Sequence, residues 1–539
     1  GEYLAAAIVV LMMNIGELLE DITIAKTGEA VRALMELEAD TARVIRNGRE
    51  MEIDIEDVEL GDIVLVKSGE KIPIDGRIKE GRGEINQAPI TGESMPIEKK
   101  TGDDVFAGTL NEVGAFELKV TRLGKDTTLG QIVQMVKDAQ SQQAPVQRLA
   151  NKYARILVPV TMSIAGVVFL FSGDIMRAVT VLVVVCPCAL VLATPTAVVA
   201  AIGNAAKRGM LVKSGTIIEQ VGHVDMVAFD KTGTLTHGKP VVQDVICLNG
   251  LHRDELLTLA ASAERFSEHP IGRSIVQALE TKQIPLLEPE EFNVLPGYGV
   301  TAKIGGHQVV MGNRTLLAER EILWSGELDT QVQGLESQGH TVIPVAVNGS
   351  IAGLITLADT TRPETKAAIA ELKRLGVREV IMITGDNPRT AERLASELGI
   401  DRYFAEVLPQ DKLKIIRDLQ AKGNKVMFAG DGVNDAPALA AADIGVAMGL
   451  AGTEVAMETA DITLMADEIE RIPQIIDLSR KSLGVIRQNV IFSMSMNVLS
   501  VLLGGFGVIG PVIGALMHEF SALPVLGNSA RLINYRQQK

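Results

Sequence analysis

Apolar residues along this chain gather into blocks, and the stretches between the blocks change their period in a way that sets out the domains. Tyr3–Ile15 is apolar and runs into Gly16–Leu37, where apolar residues recur at helical spacing among charges. That pattern predicts a membrane helix continuing as a cytosolic amphipathic stalk. The apolar part falls short of the roughly 20 residues of a full span, which predicts that the element begins upstream of Gly1. From Ala42 to about Asp126 the period drops to two, in Arg43–Ile45, Ile63–Val66, Ile72–Ile74 and Ala115–Val120, with turns such as Asn47-Gly48 between them. A small β-rich domain follows from that alternation. Ile156–Phe171 and Arg177–Ile202 are apolar again and read as two spans joined by Ser172-Gly173-Asp174, and Lys207, Arg208 and Lys213 mark a basic, cytosolic exit. Val490–Val508 and Pro511–Gly527 read as two more spans, meeting at Gly504–Gly507.

Between these blocks lies a region of alternating helix and strand. Asp359–Asp461 predicts helices at Pro363–Leu375, Pro388–Leu398, Lys412–Leu419 and Ala436–Ala441, and strands at Val380–Thr384, Lys425–Ala429, Ile444–Met448 and Ile462–Met465. That is a doubly wound α/β layer. One more strand, Val224–Phe229, stands before an insertion running from Val241 to about Ile351. Three strands end in an acidic turn: Asp230-Lys231-Thr232-Gly233-Thr234-Leu235-Thr236, Thr384-Gly385-Asp386, and Gly430-Asp431-Gly432-Val433-Asn434-Asp435. In an open parallel sheet the working site lies beyond the carboxyl ends of the strands, so the three turns are expected to converge. One such Gly-Asp is an ordinary turn; three sharing a sheet edge make a Mg²⁺-dependent phosphoryl-transfer site. Asp230 would be the nucleophile and Lys412 the cation that neutralises the transferred phosphoryl oxygens.

Charge and cysteine usage narrow the partners. The net charge of −15 over 539 residues excludes a nucleic-acid backbone, which needs clustered Lys and Arg. Apolar residues make up 47% and charged residues 22%, which agrees with apolar blocks in a bilayer beside polar domains. Three cysteines give no disulfide framework. Cys247 reads as a buried small residue, whereas Cys186 and Cys188 flank Pro187 inside an apolar block. Proline in a span bends it and frees carbonyls, so the two thiols can face each other as soft ligands for a metal ion. His518 and Glu519 are the only ionisable residues between Asn489 and Ser529, and an ionisable pair inside a span is expensive unless it has a task. The insertion carries Glu264, Ser267-Glu268-His269-Pro270 and Pro296-Gly297-Tyr298-Gly299 but no Gly-x-x-x-x-Gly-Lys loop. If the Asp230 lobe is cytosolic, the spans place the basic tail inside, and earlier spans are expected before the first residue.

DKTGTLT at Asp230–Thr236, with TGD, GDGVND and the TGES of Thr91–Ser94, resembles the P-type ATPases, cation pumps that form an aspartyl phosphate. The Cys-Pro-Cys resembles their heavy-metal branch, and the sheet with its motifs resembles the haloacid-dehalogenase-like superfamily. The resemblance implies a multidomain α/β protein with membrane helices. Its expected parts are a truncated helix and stalk (1–37), a β-rich actuator domain (38–150), two transmembrane helices (151–215), a doubly wound phosphorylation domain in two pieces (216–240 and 356–480), an inserted α+β nucleotide-binding domain (241–355), and two final helices with a tail (481–539).

It also implies roles. Mg²⁺ would be held by Asp230, the Thr232 backbone and Asp431. Lys231, Thr384, Gly385, Asp386, Lys412, Asn434 and Asp435 would surround the phosphate, and Glu93 would position water for hydrolysis. Glu264, His269, Gly297 and Gly299 would hold the adenine and ribose of ATP, and Cys186, Cys188, His518 and Glu519 the transported ion. Three upstream helices, often soluble metal-binding modules, a cytosolic metal donor, a monomeric pump and a plasma-membrane location belong to the same expectation.

For the metal, copper pumps pair Cys-Pro-Cys with Asn-Tyr and Met-x-x-Ser-Ser, and Val490 follows Asn489 here. Zinc and cadmium pumps usually carry Lys and Asp in the last helices, and neither is present. His518-Glu519-Phe520-Ser521 is nearer the His-Glu-Gly signature of cobalt and related ions, whose group generally has Ser-Pro-Cys. Thiolate, imidazole and carboxylate together favour a borderline divalent ion, Zn²⁺, Cd²⁺, Co²⁺ or Mn²⁺, with Cu(I) as the alternative. A membrane-tethered phosphatase of the dehalogenase superfamily would carry an acid two positions after its nucleophile; Thr232 stands there. A fragment that binds metal without transporting it is the third reading.

Overall fold

The computed structural model describes residues 39–46, 48–87, 96–131, 133–134, 145–184, 188–267, 269–295, 298–431, 435–449 and 458–536, with five helical positions before residue 19 and backbone alone at 145–158, 188–191, 239, 270, 409 and 410. Glu93, Cys186, Gly297, Asn434 and nearly all of the expected stalk lie outside the described residues, as does the Cys188 side chain. The chain forms two compact units, Gly1–Val224 with Ala442–Lys539, and Asp225–Ala441.

In the first unit, period-two segments build a seven-stranded sheet in the order Arg49–Asp54, Thr41–Arg46, Ile63–Val66, Leu110–Val120, Gly76–Asn86, Ile97–Lys100, with Asp104–Val105 also on Gly76–Asn86. The alternation works as expected: Val64, Val66, Ile78, Ile85, Phe116 and Leu118 point into one core. Ile72–Ile74 departs from the expectation of a strand. Ile72 and Ile74 are fully buried, yet the segment is joined to the sheet by a single bridge from Lys71 to Leu110. Pro73 between them has no N–H to give a ladder. Asp75, only 3% exposed, is fully committed: one oxygen accepts from Ala107 N at 2.8 Å, the other from Thr128 N at 2.7 Å and Thr128 Oγ1 at 2.8 Å.

The apolar blocks of this unit are helices at Pro145–Ser172, Ile175–Val184, Cys188–Lys207, Arg471–Gly505 and Pro511–Ala530. Within the expected span Arg177–Ile202 the described residues are helical on both sides of residues 185–187, which lie outside the described ones. Among the described residues, Arg471–Gly505 alone is long and apolar enough to cross a membrane by itself. These helices turn polar residues inward. Asn489 donates to Ser529 Oγ at 2.9 Å and accepts from Asn528 at 2.9 Å; Thr196 bonds Ser529 at 3.1 Å; Asn204 donates to the Leu532 carbonyl at 2.6 Å. A short strand, Met210–Val212, follows the basic exit and runs antiparallel to Ile462–Leu464, which itself pairs in parallel with Ile444–Met448.

The second unit holds four parallel strands in the order Arg402–Phe404, Glu379–Ile383, Met226–Asp230, Val426–Gly430. These middle strands read as unbroken apolar runs because both faces are covered; Val227, Phe229, Val380, Ile381, Met427 and Phe428 are fully buried. Out of this layer rises an antiparallel sheet in the order Thr236–Cys247, Ser350–Thr361, Thr341–Val347, His307–Gly312, Gly299–Ile304, Glu291–Leu295. Its first two strands are the two connections to the parallel layer, paired from Thr236↔Thr361 to Cys247↔Gly353. Cys247, expected to be buried, is half-buried at the end of that ladder and packs beside the lobe's core.

Candidate active site

Strand register alone brings the acidic turns together. Ile383 lies opposite Asp230, so Thr384-Gly385-Asp386 leaves the sheet beside Lys231; Ala429 lies opposite Phe229, so Gly430 stands level with Asp230 and Asp431 follows at once. The turn after Asp230 needs its glycine: Gly233 has φ +75°, and a Cβ there would sit 3.2 Å from Asp431 Cβ. Gly430 is held to glycine by proximity, since a Cβ would run into the Asp435 side chain.

Lys412 enters from the first turn of Pro409–Ala421, one residue after Asp411. Its ammonium donates to Asp230 Oδ1 at 2.6 Å and to Asp435 Oδ1 at 2.7 Å, and all three side chains are at least nine-tenths buried. Burial first, and then the neighbouring Asp435 charge, push the Asp230 carboxyl up to about 7, with Lys412 pulling the other way. Burial likewise raises Asp435. For Lys412, burial alone would lower the ammonium, but the two carboxylates outweigh it and hold it above its ordinary value. Lys231 turns away to Asp386, donating to both oxygens at 2.8 and 2.9 Å, and Thr384 Oγ1 accepts from the Asp386 N–H at 3.1 Å. The site therefore holds Asp230, Asp386, Asp431 and Asp435 against two ammonium groups, an acid excess suited to a divalent cation. Among the described residues no three His, Cys, Asp or Glu side chains form a closed metal cage. Mg²⁺ asks for only one or two carboxylates, with water and phosphate oxygens in its remaining positions, and the acid excess here supplies them. Asp435 Oδ2 is buried and has no hydrogen-bond partner among the described residues.

In the antiparallel lobe, His307–Gly312 and Thr341–Val347 pair from Val309↔Val347 to Met311↔Val345 and then part, where Pro344 has no N–H to continue the ladder. The gap is a cavity of about 440 Å³ whose walls include Glu264, His269, Tyr298, Gly299, Trp324 and Glu336. Burial raises the Glu264 carboxyl, opposed by the Ser267 hydroxyl and His269. His269 also accepts from Ile271 N at 3.3 Å, capping Pro270–Thr281, so it both starts a helix and faces the cavity. Gly299 has φ +145°, and a Cβ there would strike the Met311 carbonyl. Two features around the cavity had no signal in the motifs: Arg314 lies 4.7 Å over the Trp324 ring, and Gly272 leaves room for the Glu264 carboxylate. Of the expected ion ligands, His518 is buried with Nδ1 unpartnered among the described residues, and Glu519 is half-buried.

A parallel sheet that ends in a buried Asp, a lysine and a second acidic turn, with a lobe inserted after the first strand, is the arrangement of a haloacid-dehalogenase-like hydrolase. Residues 224–443 match that hydrolase family, 412–476 match it a second time, and 36–137 match the P-type ATPase actuator domain. The chain is 41% identical over 544 residues to a zinc-exporting P-type ATPase of Mycobacterium marinum, covering 99% of this chain and 74% of that one. It is 40% identical over 551 residues to a probable cadmium-transporting ATPase of Staphylococcus aureus, covering 100% and 76%. A copper-exporting P-type ATPase of Bacillus subtilis is 41% identical over 540 residues, covering 98% and 67%. A crystal structure of a zinc-transporting PIB-type ATPase in its E2·Pi state is similar at a TM-score of 0.67 and 35% identity, over 98% of this chain and 87% of that one. The chain belongs to the P-type ATPases, in the heavy-metal-transporting branch.

Proposed function

We propose that this protein is an ATP-driven exporter of a divalent transition-metal ion, Zn²⁺, Cd²⁺, Co²⁺ or Mn²⁺, and that it works through an aspartyl phosphate on Asp230. The observation that carries the reading is Lys412 fixed between Asp230 and Asp435 at the carboxyl edge of the parallel sheet. An Asp230 carboxylate oxygen attacks the γ-phosphorus of ATP, an O–P bond to Asp230 forms, and the bridging O–P bond breaks with its electron pair leaving on ADP. Lys412 offsets charge on the phosphoryl oxygens; Lys231, Thr384, Gly385, Asp386, Asn434 and Asp435 surround them. Asp230, the Thr232 carbonyl and Asp431 would hold Mg²⁺, which when bound supplies charge neutralisation to the phosphoryl group. Glu264, His269, Gly297 and Gly299 would seat the nucleotide base and ribose, and Glu93 would orient the water that later cleaves the acyl phosphate.

The apolar helices are assigned to a multi-pass membrane region carrying Cys186, Cys188, His518 and Glu519 as ligands of the transported ion, with the catalytic units in the cytoplasm. The preference for a divalent ion rests on this mixed ligand set, borderline rather than purely soft. Domain bounds are those given by the sequence, and the pump is assigned as a monomer in the plasma membrane that draws its ion from a cytosolic donor.

Asp230→Asn tests the chemistry: no acid-stable label should form from γ-labelled ATP, and persistence of the label would refute the assignment. ATPase stimulation across a metal panel, repeated with Cys186→Ser/Cys188→Ser, tests the cargo. Selective activation by Cu(I) would instead favour the copper reading.

A further inference from the structure

The segment that returns from the antiparallel lobe, Asp359–Thr365, grips the loop after the nucleophile carbonyl by carbonyl. Arg362, 8% exposed, donates from Nε to the Thr234 and Thr236 carbonyls, each at 3.2 Å, and from Nη2 to the Gly233 carbonyl at 3.0 Å. Its backbone N–H takes the Leu235 carbonyl at 3.1 Å, and Thr365 Oγ1 donates to the same oxygen at 3.1 Å. Thr236 Oγ1 donates to the Lys231 carbonyl at 2.9 Å and is also bonded to the Asp359 carboxylate. Carbonyls on both sides of Thr232 are thus held, and the loop they belong to has two glycine-dependent contacts, Gly233 against Asp431 and Gly238 against Gly233. A guanidinium this deeply buried is costly unless its donors are satisfied. Here the planar fork meets three converging oxygens, a geometry that a single ammonium cannot reproduce.

We infer that Arg362 is a positioning residue for phosphoryl transfer, fixing the Gly233–Thr236 backbone so that Asp230 meets the phosphorus in line. The inference rests on Asp230 as nucleophile. It differs from a role as a plain stitch between the two connecting strands in where the loss should appear. Loop placement governs every passage of phosphate on or off Asp230, whatever the donor, whereas nucleotide affinity is set in the cavity of the inserted lobe. Misplacement of about 1 Å at a reacting centre is enough for losses on the order of 10²-fold.

The test is Arg362→Lys in the full chain, with Thr365→Val as a milder companion that removes one hydroxyl donor without changing shape. Three quantities are measured: acyl phosphate formed from ATP, acyl phosphate formed from labelled inorganic phosphate with Mg²⁺, and the dissociation constant of ATP. Arg362→Lys should slow both labelling reactions by roughly ten- to a hundredfold, with ATP affinity within about twofold and the unfolding transition kept. Thr365→Val should slow both by a few-fold. Loss of labelling from ATP alone, or a parallel fall in ATP affinity or thermal stability, would overturn the inference. So would Arg362→Lys labelling at the wild-type rate. If Arg362→Lys does not fold, Thr365→Val decides alone: equal labelling with wild type from both donors overturns the inference. Wild-type protein that labels from neither donor would remove the Asp230 reading itself, which keeps the two failures apart.

Discussion

Lys412→Met takes away the one ammonium that two buried carboxylates share, and the consequences can be followed through pH. Each charge-assisted hydrogen bond lost is worth about 1.5–3 kcal/mol, and breaking a buried pair by removing one partner costs about 3–5 kcal/mol. Asp230 already titrates near 7 in the ion-free protein because of burial and Asp435, with Lys412 opposing both. Without the ammonium the two acids must share a proton, and at least one folded-state pKa moves above 7. The sign follows from linkage. Where the folded state holds a proton that the unfolded state has lost, stability falls as pH rises, by about 1.4 kcal/mol per pH unit for one proton. In the wild type the Asp230 contribution to that slope ends near pH 7, where the group ionises. In Lys412→Met the slope continues past it.

The assay is thermal unfolding of the unit Asp225–Ala441 within the whole protein, without Mg²⁺, from pH 6 to 8.5. For a unit of this size about 1 kcal/mol shifts the midpoint by roughly 2–4 °C. The variant should therefore melt roughly 6–20 °C lower at pH 8 and recover part of the difference as pH falls. Its phosphoenzyme from ATP should drop by about 10³-fold or more, the scale on which a transition-state cation is lost. Parallel melting curves for variant and wild type from pH 7 to 8.5 would refute the shared-ammonium reasoning.

Asp230→Asn should remove one proton's worth of pH dependence from the ion-free protein: the wild type loses up to about 4 kcal/mol from this group between pH 4 and 7, and the variant does not, as read by chemical denaturation at four pH values. Gly299→Ala places a side chain at φ +145° against the Met311 carbonyl, so ATP binding followed by the emission of Trp324, the chain's single tryptophan, should weaken by at least tenfold while the parallel layer keeps its stability. Glu93→Gln should leave labelling of Asp230 intact and slow hydrolysis of the label by about 10²-fold, measured as decay after a chase with unlabelled ATP.

Asp230, Asp386 and Asp431 were legible in the sequence because a parallel strand both announces itself as an apolar run and fixes where its last residue goes. Once Met226–Asp230, Glu379–Ile383 and Val426–Gly430 lie side by side in register, their turns have no freedom to be elsewhere. Lys412 was legible only as a cation of the right type, since nothing local in Pro409–Ala421 says that it bonds two acids at once. Ile72–Ile74 failed as a strand for a reason the sequence did contain, the missing N–H of Pro73. The block Arg177–Ile202 was legible as helix from its apolar run, and its described residues are helical.

Arg362 was not legible at all, and the contrast with Asp230 shows what kind of information is lost. Its contacts are with carbonyl oxygens, which every residue carries, so no pairing of residue types betrays them. They arise because Thr236–Cys247 and Ser350–Thr361, over a hundred positions apart, pair down to Thr236↔Thr361 and bring the returning segment beneath the nucleophile's loop. A long insertion placed just after Asp230 therefore does more than carry a cavity. Its return strand arrives beside the loop after Asp230, and the same ladder that holds the lobe to the sheet sets the backbone on which, in the mechanism proposed, phosphate is received.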